Sequence, residues 1–238
     1  MNNDFLKNIL FLDIETVPEA KSFHELPERK QALWKKKALF FREAEDKTPE
    51  ELYERAGIYS EFGKIVVIAV GYFSQIEPEP KLRITAIANH DEKLLLKEFA
   101  DLLNSHFDKK ETRFCAHNGK EFDFPYIGRR MLIQGIPLPK TLQLSGKKPW
   151  EVPHLDTLEL WKFGDYKHYT SLDLLASIFE IESSKDDIDG SQVNGIYYQM
   201  NDLDRIVKYC KKDVAVLVQV FLKMNQLSVL RPENITIV

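Results

Sequence analysis

Residues 8–17, Asn-Ile-Leu-Phe-Leu-Asp-Ile-Glu-Thr-Val, decide the fold of this chain. Four consecutive apolar residues, Ile9 to Leu12, are typical of a strand covered on both faces, because a strand with one solvated face would alternate apolar and polar residues. Pro18 ends the strand, since proline has no N–H to give to a neighbouring strand. The segment therefore predicts the central strand of a sheet with layers on both sides.

Strands and helices follow this segment in the order expected of an α/β protein. Further strands are predicted at 64–73, 81–89, 112–117 and 154–160, and helices after Asp91, at 125–134, after Ser171, and from Asn201 or Asp202 to about Gln226. Residues 20–57 are charged and helical in pattern, and Thr48-Pro49-Glu50-Glu51 is a typical helix start within them. We expect one α/β domain, 1–238, with a mixed five-stranded sheet flanked by helices and a helical insertion at about 20–57.

The composition excludes several classes of protein. With 44% hydrophobic and 29% charged residues, the 238-residue chain is neither disordered nor fibrous. The longest apolar run, 65–70, is too short to cross a bilayer, and residues 1–4 lack the basic start of a signal peptide. Two cysteines exclude a disulfide scaffold and a cysteine-rich zinc site, so we expect a cytoplasmic protein. A net charge of −4 argues against nucleic-acid binding by bulk positive charge, but it allows an enzyme with a local basic path.

Asp13 and Glu15 form the first candidate site. Two residues apart on a strand, they project from the same face. Burial and mutual repulsion both disfavour such a pair, and a hard divalent cation with oxygen ligands would offset that cost. The alternative is that the strand has already ended and both side chains lie in water.

Two further segments carry carboxylates in similar settings. In Asn118-Gly119-Lys120-Glu121-Phe122-Asp123, a strand ends in a tight turn and Asp123 lies where a helix begins. The alternative for Asp123 is a helix cap before Pro125, and the alternative for Asn118 is a turn residue. Tyr209 and Asp213, four apart on the last helix, lie on one face, and Asp213 borders the apolar stripe. Its alternative is a boundary residue paired with Lys211 or Lys212.

Together these segments resemble the motifs of a known superfamily. Residues 11–16 (FLDIET), 117–123 (HNGKEFD) and 209–213 (YCKKD) are similar to the three exonuclease motifs of the DEDD superfamily, and the tyrosine four before the last aspartate marks its tyrosine subclass. Residues 116–129 most resemble the proofreading domain of family B DNA polymerases, and the chain as a whole resembles the stand-alone group of predicted polymerase-B-like 3′–5′ exonucleases. The resemblance implies a ribonuclease H-like fold.

The resemblance also implies a chemistry. Asp13, Glu15, Asp123 and Asp213 would hold two Mg²⁺ or Mn²⁺ ions, and Tyr209 would position the attacking water. Thr16 and Asn118 match positions near the terminal nucleotide, and Phe122 could stack on a base, although a core position under the turn explains Phe122 at least as well. The product would be a nucleoside 5′-monophosphate.

The expected partner is nucleic acid with single-stranded 3′ ends, DNA in preference to RNA, with no membrane and no assigned protein partner. An RNA exonuclease of the same mechanism is the alternative enzyme, and a non-catalytic nucleic-acid-binding module is the alternative class. The complete set of Asp13, Glu15, Asp123, Tyr209 and Asp213 argues against that module. The basic pairs 129–130, 147–148 and 211–212 could follow phosphates, although solvated surfaces are the simpler explanation for each.

Overall fold

The fold is seen in a computed structural model that describes residues 3–165, 169–183 and 188–238. Within these residues six strands form one mixed sheet in the order β5-β4-β1-β2-β3-β6. The strands are β1 (Ile9–Pro18), β2 (Gly63–Gln75), β3 (Lys81–Ala88), β4 (Arg113–Ala116), β5 (Leu155–Asp156) and β6 (Ile235–Ile237). Strand β2 runs antiparallel to β1 and β3, while the pairs β1–β4, β4–β5 and β3–β6 are parallel.

Helices cover the sheet and join its strands. They are α1 (Glu28–Ala38), α2 (Glu92–His106), α3 (Asp123–Ile133), α4 (Thr157–Lys162), α5 (Leu172–Ile178), α6 (Val193–Gly195), which continues as a π-helical turn (Ile196–Met200), and α7 (Leu203–Met224). The predicted caps are confirmed, because the side chains of Asp91, Ser171 and Asp202 accept hydrogen bonds from backbone N–H groups in the first turns of α2, α5 and α7. No helix in the described part of the chain combines the length and apolarity needed to span a bilayer.

Strand β1 lies at the centre of the sheet, as its sequence predicts. Leu10, Leu12 and Ile14 pack in a buried cluster with α2 and α3, whereas Ile9 and Phe11 pack in a second cluster with α7. Because side chains alternate along a strand, Asp13 and Glu15 belong to the face that α7 covers. The apolar start of β1 thus fixes two layers, and it directs both carboxylates toward one of them.

The sheet differs from the prediction at its two edges. The predicted count of five strands is wrong, because β6 adds a sixth strand, parallel to β3. Three residues are too few to show the alternation that reveals a strand in sequence. The predicted strand 154–160 is only two residues long, because the Asp156 side chain accepts a hydrogen bond from the N–H of Leu158 and starts α4 there.

The insertion after β1 contains one α-helix and several 3₁₀ turns. Its aromatic cluster centres on the fully buried Trp34, with Phe23, Tyr53 and Phe62 around it. The predicted helix start at Thr48 is present as reciprocal hydrogen bonds with Glu51, although the segment that follows is a 3₁₀ helix, Glu51–Ile58. The chain leaves β1 and returns to β2 at adjacent points, since the Glu19 N–H donates to the Phe62 carbonyl at 2.8 Å.

Candidate active site

Strand β1 carries the first two carboxylates of the candidate site. Asp13 and Glu15 lie opposite Ala69 and Val67 of β2, and the β1–β2 register shifts directly after Glu15. Both of these β2 neighbours are apolar, so neither can neutralise a carboxylate. Glu15 is only 8% exposed, so the interpretation that β1 has ended and both side chains lie in water is wrong.

Helix α7 brings its polar residues onto this face of β1. The Cys210 thiol lies 3.3 Å from Oδ2 of Asp13 and 3.4 Å from the Asp13 carbonyl oxygen. The Tyr209 hydroxyl is hydrogen-bonded to Asp213, and the Asp213 charge acts on both Asp13 and Glu15. One potential ligand atom each from Asp13, Glu15 and Cys210 lie within 4.8 Å of one another. Cys210 was not identified as a site residue from sequence, because it reads as part of the apolar stripe of α7.

The turn between β4 and α3 delivers Asp123 to the same place. Asn118 has a left-handed backbone (φ 62°) and Gly119 follows it. A Cβ on Gly119 would lie 2.4 Å from the Cβ of Ala116, so the turn can only be this tight with glycine. Asp123, 3% exposed, is the first residue of α3, and its carboxylate accepts hydrogen bonds from the backbone of Asp123 itself and of Ile14 in β1.

Asp156 holds this turn in place. Its buried carboxylate accepts hydrogen bonds from the N–H groups of Asn118 (2.9 Å), Lys120 (3.0 Å) and Leu158 (2.9 Å). One side chain therefore fixes both the turn that precedes Asp123 and the start of α4. Asp156 was not identified as a site residue from sequence, because it lies among residues interpreted as a strand. A helix start after an Asp-Thr pair is the signal that could have found it.

Burial and neighbouring negative charges raise the pKa of Asp13, Glu15 and Asp123. Burial is the largest cause of the raised pKa of Asp13 and of Glu15, followed for both by the charge of Asp213. Burial likewise raises the pKa of Asp123 to about 7. The charges that act most strongly on these three groups, among the described residues, are other carboxylates. This region of the protein favours a bound positive charge.

Comparison with known proteins places the chain in a family. A family model described as a predicted 3′–5′ exonuclease related to the exonuclease domain of PolB matches residues 58–233, more than half of the chain. The chain belongs to this PolB-like exonuclease family. The match includes Asp123, Tyr209 and Asp213, whereas Asp13 and Glu15 precede it.

A solved structure agrees on the fold. The family B DNA polymerase from the hyperthermophilic archaeon Pyrobaculum calidifontis is 16% identical with a TM-score of 0.55, over 90% of this chain and 24% of the polymerase chain. The chain therefore spans about a quarter of that polymerase, and the likeness confirms the predicted ribonuclease H-like fold. A search of curated proteins found no match. The family assignment supports a 3′–5′ exonuclease that acts on nucleic acid.

The donor set of this site fits divalent metal ions. Buried carboxylates that repel one another are hard oxygen ligands, and an ion of charge +2 would relieve their repulsion. Asp13 and Glu15 from β1, with Asp123 and Asp213 nearby, are the residues that could hold it.

The predicted substrate residues have structural contacts of their own. Thr16 is hydrogen-bonded to the Tyr126 hydroxyl, which donates to the Gly57 carbonyl at 2.7 Å. Phe122 is half-buried, and its ring centroid lies 5.3 Å from that of Tyr126. Asn118 is half-buried at the turn. Thr16 and Phe122 are adjacent in sequence to Glu15 and Asp123, and Asn118 lies in the turn that leads to Asp123. Their contact with a nucleotide stays a prediction.

Arg130 does not lie on a phosphate path. The arginine is buried, its Nε donates to Oε1 of Glu92 at 2.8 Å, and its Nη1 donates to the Ser60 carbonyl at 2.8 Å. Neither interpretation of this residue from sequence, phosphate contact or solvated surface, is correct. Its partner lies 38 residues away in the chain, on α2, so no local pattern could reveal the pair.

Proposed function

We propose that this protein is a metal-dependent exonuclease that removes nucleoside 5′-monophosphates from the 3′ ends of single-stranded DNA. The observation that carries the proposal is the convergence of carboxylates from β1, α3 and α7 on one buried spot, where burial and the charges of Asp213 and Asp123 raise the pKa of Asp13 and Glu15. Asp13, Glu15, Asp123 and Asp213 would hold two Mg²⁺ or Mn²⁺ ions. When bound, such ions lower the pKa of water, orient the scissile phosphate and stabilise the charge on the leaving oxygen.

The reaction is a hydrolysis. A water oxygen forms a bond to the phosphorus of the terminal nucleotide, the bond from phosphorus to the preceding 3′ oxygen breaks, and that oxygen takes a proton. Asp123 is held by backbone N–H groups, so its position is defined before the substrate arrives.

Tyr209 orients the water and does not act as a base. Burial, then the charge of Asp213, raise the pKa of its hydroxyl far above the usual value near 10, so the group stays protonated at neutral pH. The hydroxyl lies next to Asp213 and feels the charges of Glu15 and Asp13. A protonated tyrosine at this position can hold the attacking water by one hydrogen bond.

Cys210 positions Asp13. Its thiol is 3.3 Å from one Asp13 carboxylate oxygen and lies on the turn of α7 that also carries Tyr209. Because the thiol is a weak donor, it can restrict the rotation of the carboxylate without neutralising it.

A substrate comparison tests the proposal. Single-stranded DNA, duplex DNA and RNA of one sequence, each labelled at the 5′ end, are incubated with Mn²⁺ or with chelator. We expect the DNA single strand to shorten one nucleotide at a time, with no cleavage in chelator. Faster shortening of RNA would transfer the proposal to RNA, and binding without any shortening would support a non-catalytic module.

A further inference from the structure

A second charged region of the molecule lies at the opposite end of β4 from the Asn118 turn. Five cationic side chains line a cavity of about 320 Å³ between the loop that follows α2, the start of β4 and the loop that precedes β5. They are Lys109, Lys110, Arg113, Lys140 and Lys147. Among the described residues of its lining one is acidic, Asp108, and it is paired with Lys140 at 2.7 Å. We call this cavity the basic pocket.

The positive charge of the basic pocket is not neutralised by its surroundings. Lys109, Lys110 and Lys147 have no carboxylate within ion-pair distance among the residues that the structure describes. With five cations and one anion, the pocket has a net charge of +4, on a chain whose net charge is −4. A local excess of one sign against the overall charge is the arrangement expected of a site for an anionic ligand.

The pocket is also built on fixed elements. Nη1 of Arg113 donates to the carbonyl oxygens of Lys110 (2.7 Å) and Thr112 (3.0 Å), which orients the guanidinium without neutralising it. His154 forms the floor, with its ring stacked on Phe114 at 4.5 Å. Its Nδ1 accepts from the Phe114 N–H and its Nε2–H donates to the Thr141 carbonyl, so the imidazole is neutral.

One polar atom of the pocket is left without a partner. The hydroxyl oxygen of Thr141 is buried and makes no hydrogen bond with any described residue. Because this oxygen is not accessible to solvent, the Thr141 side chain must rotate before its hydroxyl can meet a ligand oxygen in the pocket. The positive charge of the basic pocket suits a phosphate.

We propose that the basic pocket binds the phosphates of the substrate strand several nucleotides before its 3′ end. This inference rests on the proposed function, because it assigns the second contact of the same nucleic-acid strand. Arg113 pairs with Ile9, four residues before Asp13, which places the two regions about 13 Å apart along the sheet at ~3.3 Å per residue. Phosphates of a stacked strand advance ~3.4 Å per nucleotide, so roughly four nucleotides separate the pocket from the carboxylates.

Binding of strands of two lengths tests the inference. The affinity of labelled oligo-dT of 4 and of 16 nucleotides is measured by fluorescence anisotropy in chelator, for the wild type and for Lys109→Glu/Lys147→Glu. We expect the variant to lose at least tenfold in affinity for the 16-mer and less than twofold for the 4-mer. The slope of log Kd against log salt for the 16-mer should fall by about 1.4, since each lost phosphate contact on a single strand removes ~0.7.

A matched variant controls for net charge. Lys93→Glu/Lys97→Glu changes the charge by the same amount on the exposed face of α2, and it should bind both strands like the wild type. The melting temperature of each variant verifies folding, and Lys109→Gln/Lys147→Gln should give an intermediate loss. Equal losses in the two Glu variants, or equal losses for the two strand lengths, would overturn the inference. An unchanged 16-mer affinity would overturn it too, even if inorganic pyrophosphate binds the pocket.

The proposed function is tested separately in the same samples. Hydrolysis of the 4-mer by the wild type in Mn²⁺ reports on the carboxylates alone. If that hydrolysis is absent while 16-mer binding depends on the pocket, the exonuclease proposal fails and the pocket stands as a nucleic-acid contact.

Discussion

Glu92 and the carboxylates of the candidate active site have opposite surroundings. Glu92, 4% exposed, accepts hydrogen bonds from Arg130, from Gln134 (2.7 Å) and from the Ile65 N–H (2.8 Å). Asp13 and Glu15 instead face Asp213, another carboxylate. Arg130 of the same chain neutralises Glu92. For Asp13 and Glu15, the described residue that acts most strongly is instead another carboxylate, Asp213. A buried carboxylate that is paired with an arginine contributes to the structure alone. Buried carboxylates without such a partner favour the binding of a cation.

The largest effect on activity should follow removal of an acidic side chain from the candidate active site, where the carboxylates repel one another. We expect Asp13→Ala or Asp213→Ala to lower the hydrolysis rate about a thousandfold or more, if the lost metal contact supplies about 4 kcal/mol to the transition state. The rate on a labelled single strand measures this. Stability in chelator should not decrease, because the substitution removes repulsion. Near-normal hydrolysis by either variant would refute the assignment of these residues.

Loss of a charge at the pair of Glu92 and Arg130 should lower stability. Arg130→Met should lower the free energy of unfolding by about 3–5 kcal/mol, because it leaves Glu92 buried without its cation. Urea denaturation measures the change. The double variant Arg130→Met/Glu92→Leu should recover much of the loss, since both charges are then gone. A loss below about 1 kcal/mol in the single variant would contradict the comparison.

Added metal should stabilise the protein through the carboxylates of the candidate active site and not through Glu92. At a Mn²⁺ concentration of about one hundred times Kd, binding to the folded site contributes about 2.7 kcal/mol, and the melting temperature should rise by several degrees. The rise should disappear in Asp13→Ala and persist in Glu98→Gln, which removes an exposed carboxylate on α2. The same rise in both variants would place the metal elsewhere.

The smallest effect concerns pH. The folded Asp123 keeps its proton up to a pKa of about 7, whereas the unfolded side chain releases it near 4. The folded state therefore binds more protons between these values, and stability in chelator should fall as the pH rises. Replacement of Asp123 by Asn should reduce that fall by about 1 kcal/mol between pH 6 and 7. Urea denaturation at the two pH values is the measurement, and an identical fall in both proteins would show that Asp123 is not the titrating group.

Local patterns in the sequence predict much of the fold and of the carboxylate cluster. The apolar run of β1 and the caps of α2, α5 and α7 depend on neighbours within a few residues, so the sequence shows them. The four acids are predictable because two follow the apolar run of β1, one follows a turn and one lies on a helix face, and the motifs resemble a known superfamily.

Contacts between distant segments account for what the sequence does not show. Asp156 binds N–H groups up to 38 residues away, and Arg130 finds Glu92 at a separation of 38. The basic pocket joins lysines from two loops that are about 30 residues apart in the chain, and in sequence each lysine resembles an ordinary surface residue. The three-residue β6 becomes a strand only because β3 has an open edge there.

The hydrogen bond between Glu19 and Phe62 has a consequence for how this protein can change. Since the two ends of the insertion meet at the base of β1 and β2, these strands form a β-hairpin whose loop has grown into a small subdomain with its own aromatic core. The entropy of closing a loop depends only on the logarithm of its length, so exchanging this segment would alter the hairpin's stability modestly. Related proteins could therefore vary the insertion in size and shape while β1 and β2 keep their register and the acids on β1 keep their positions.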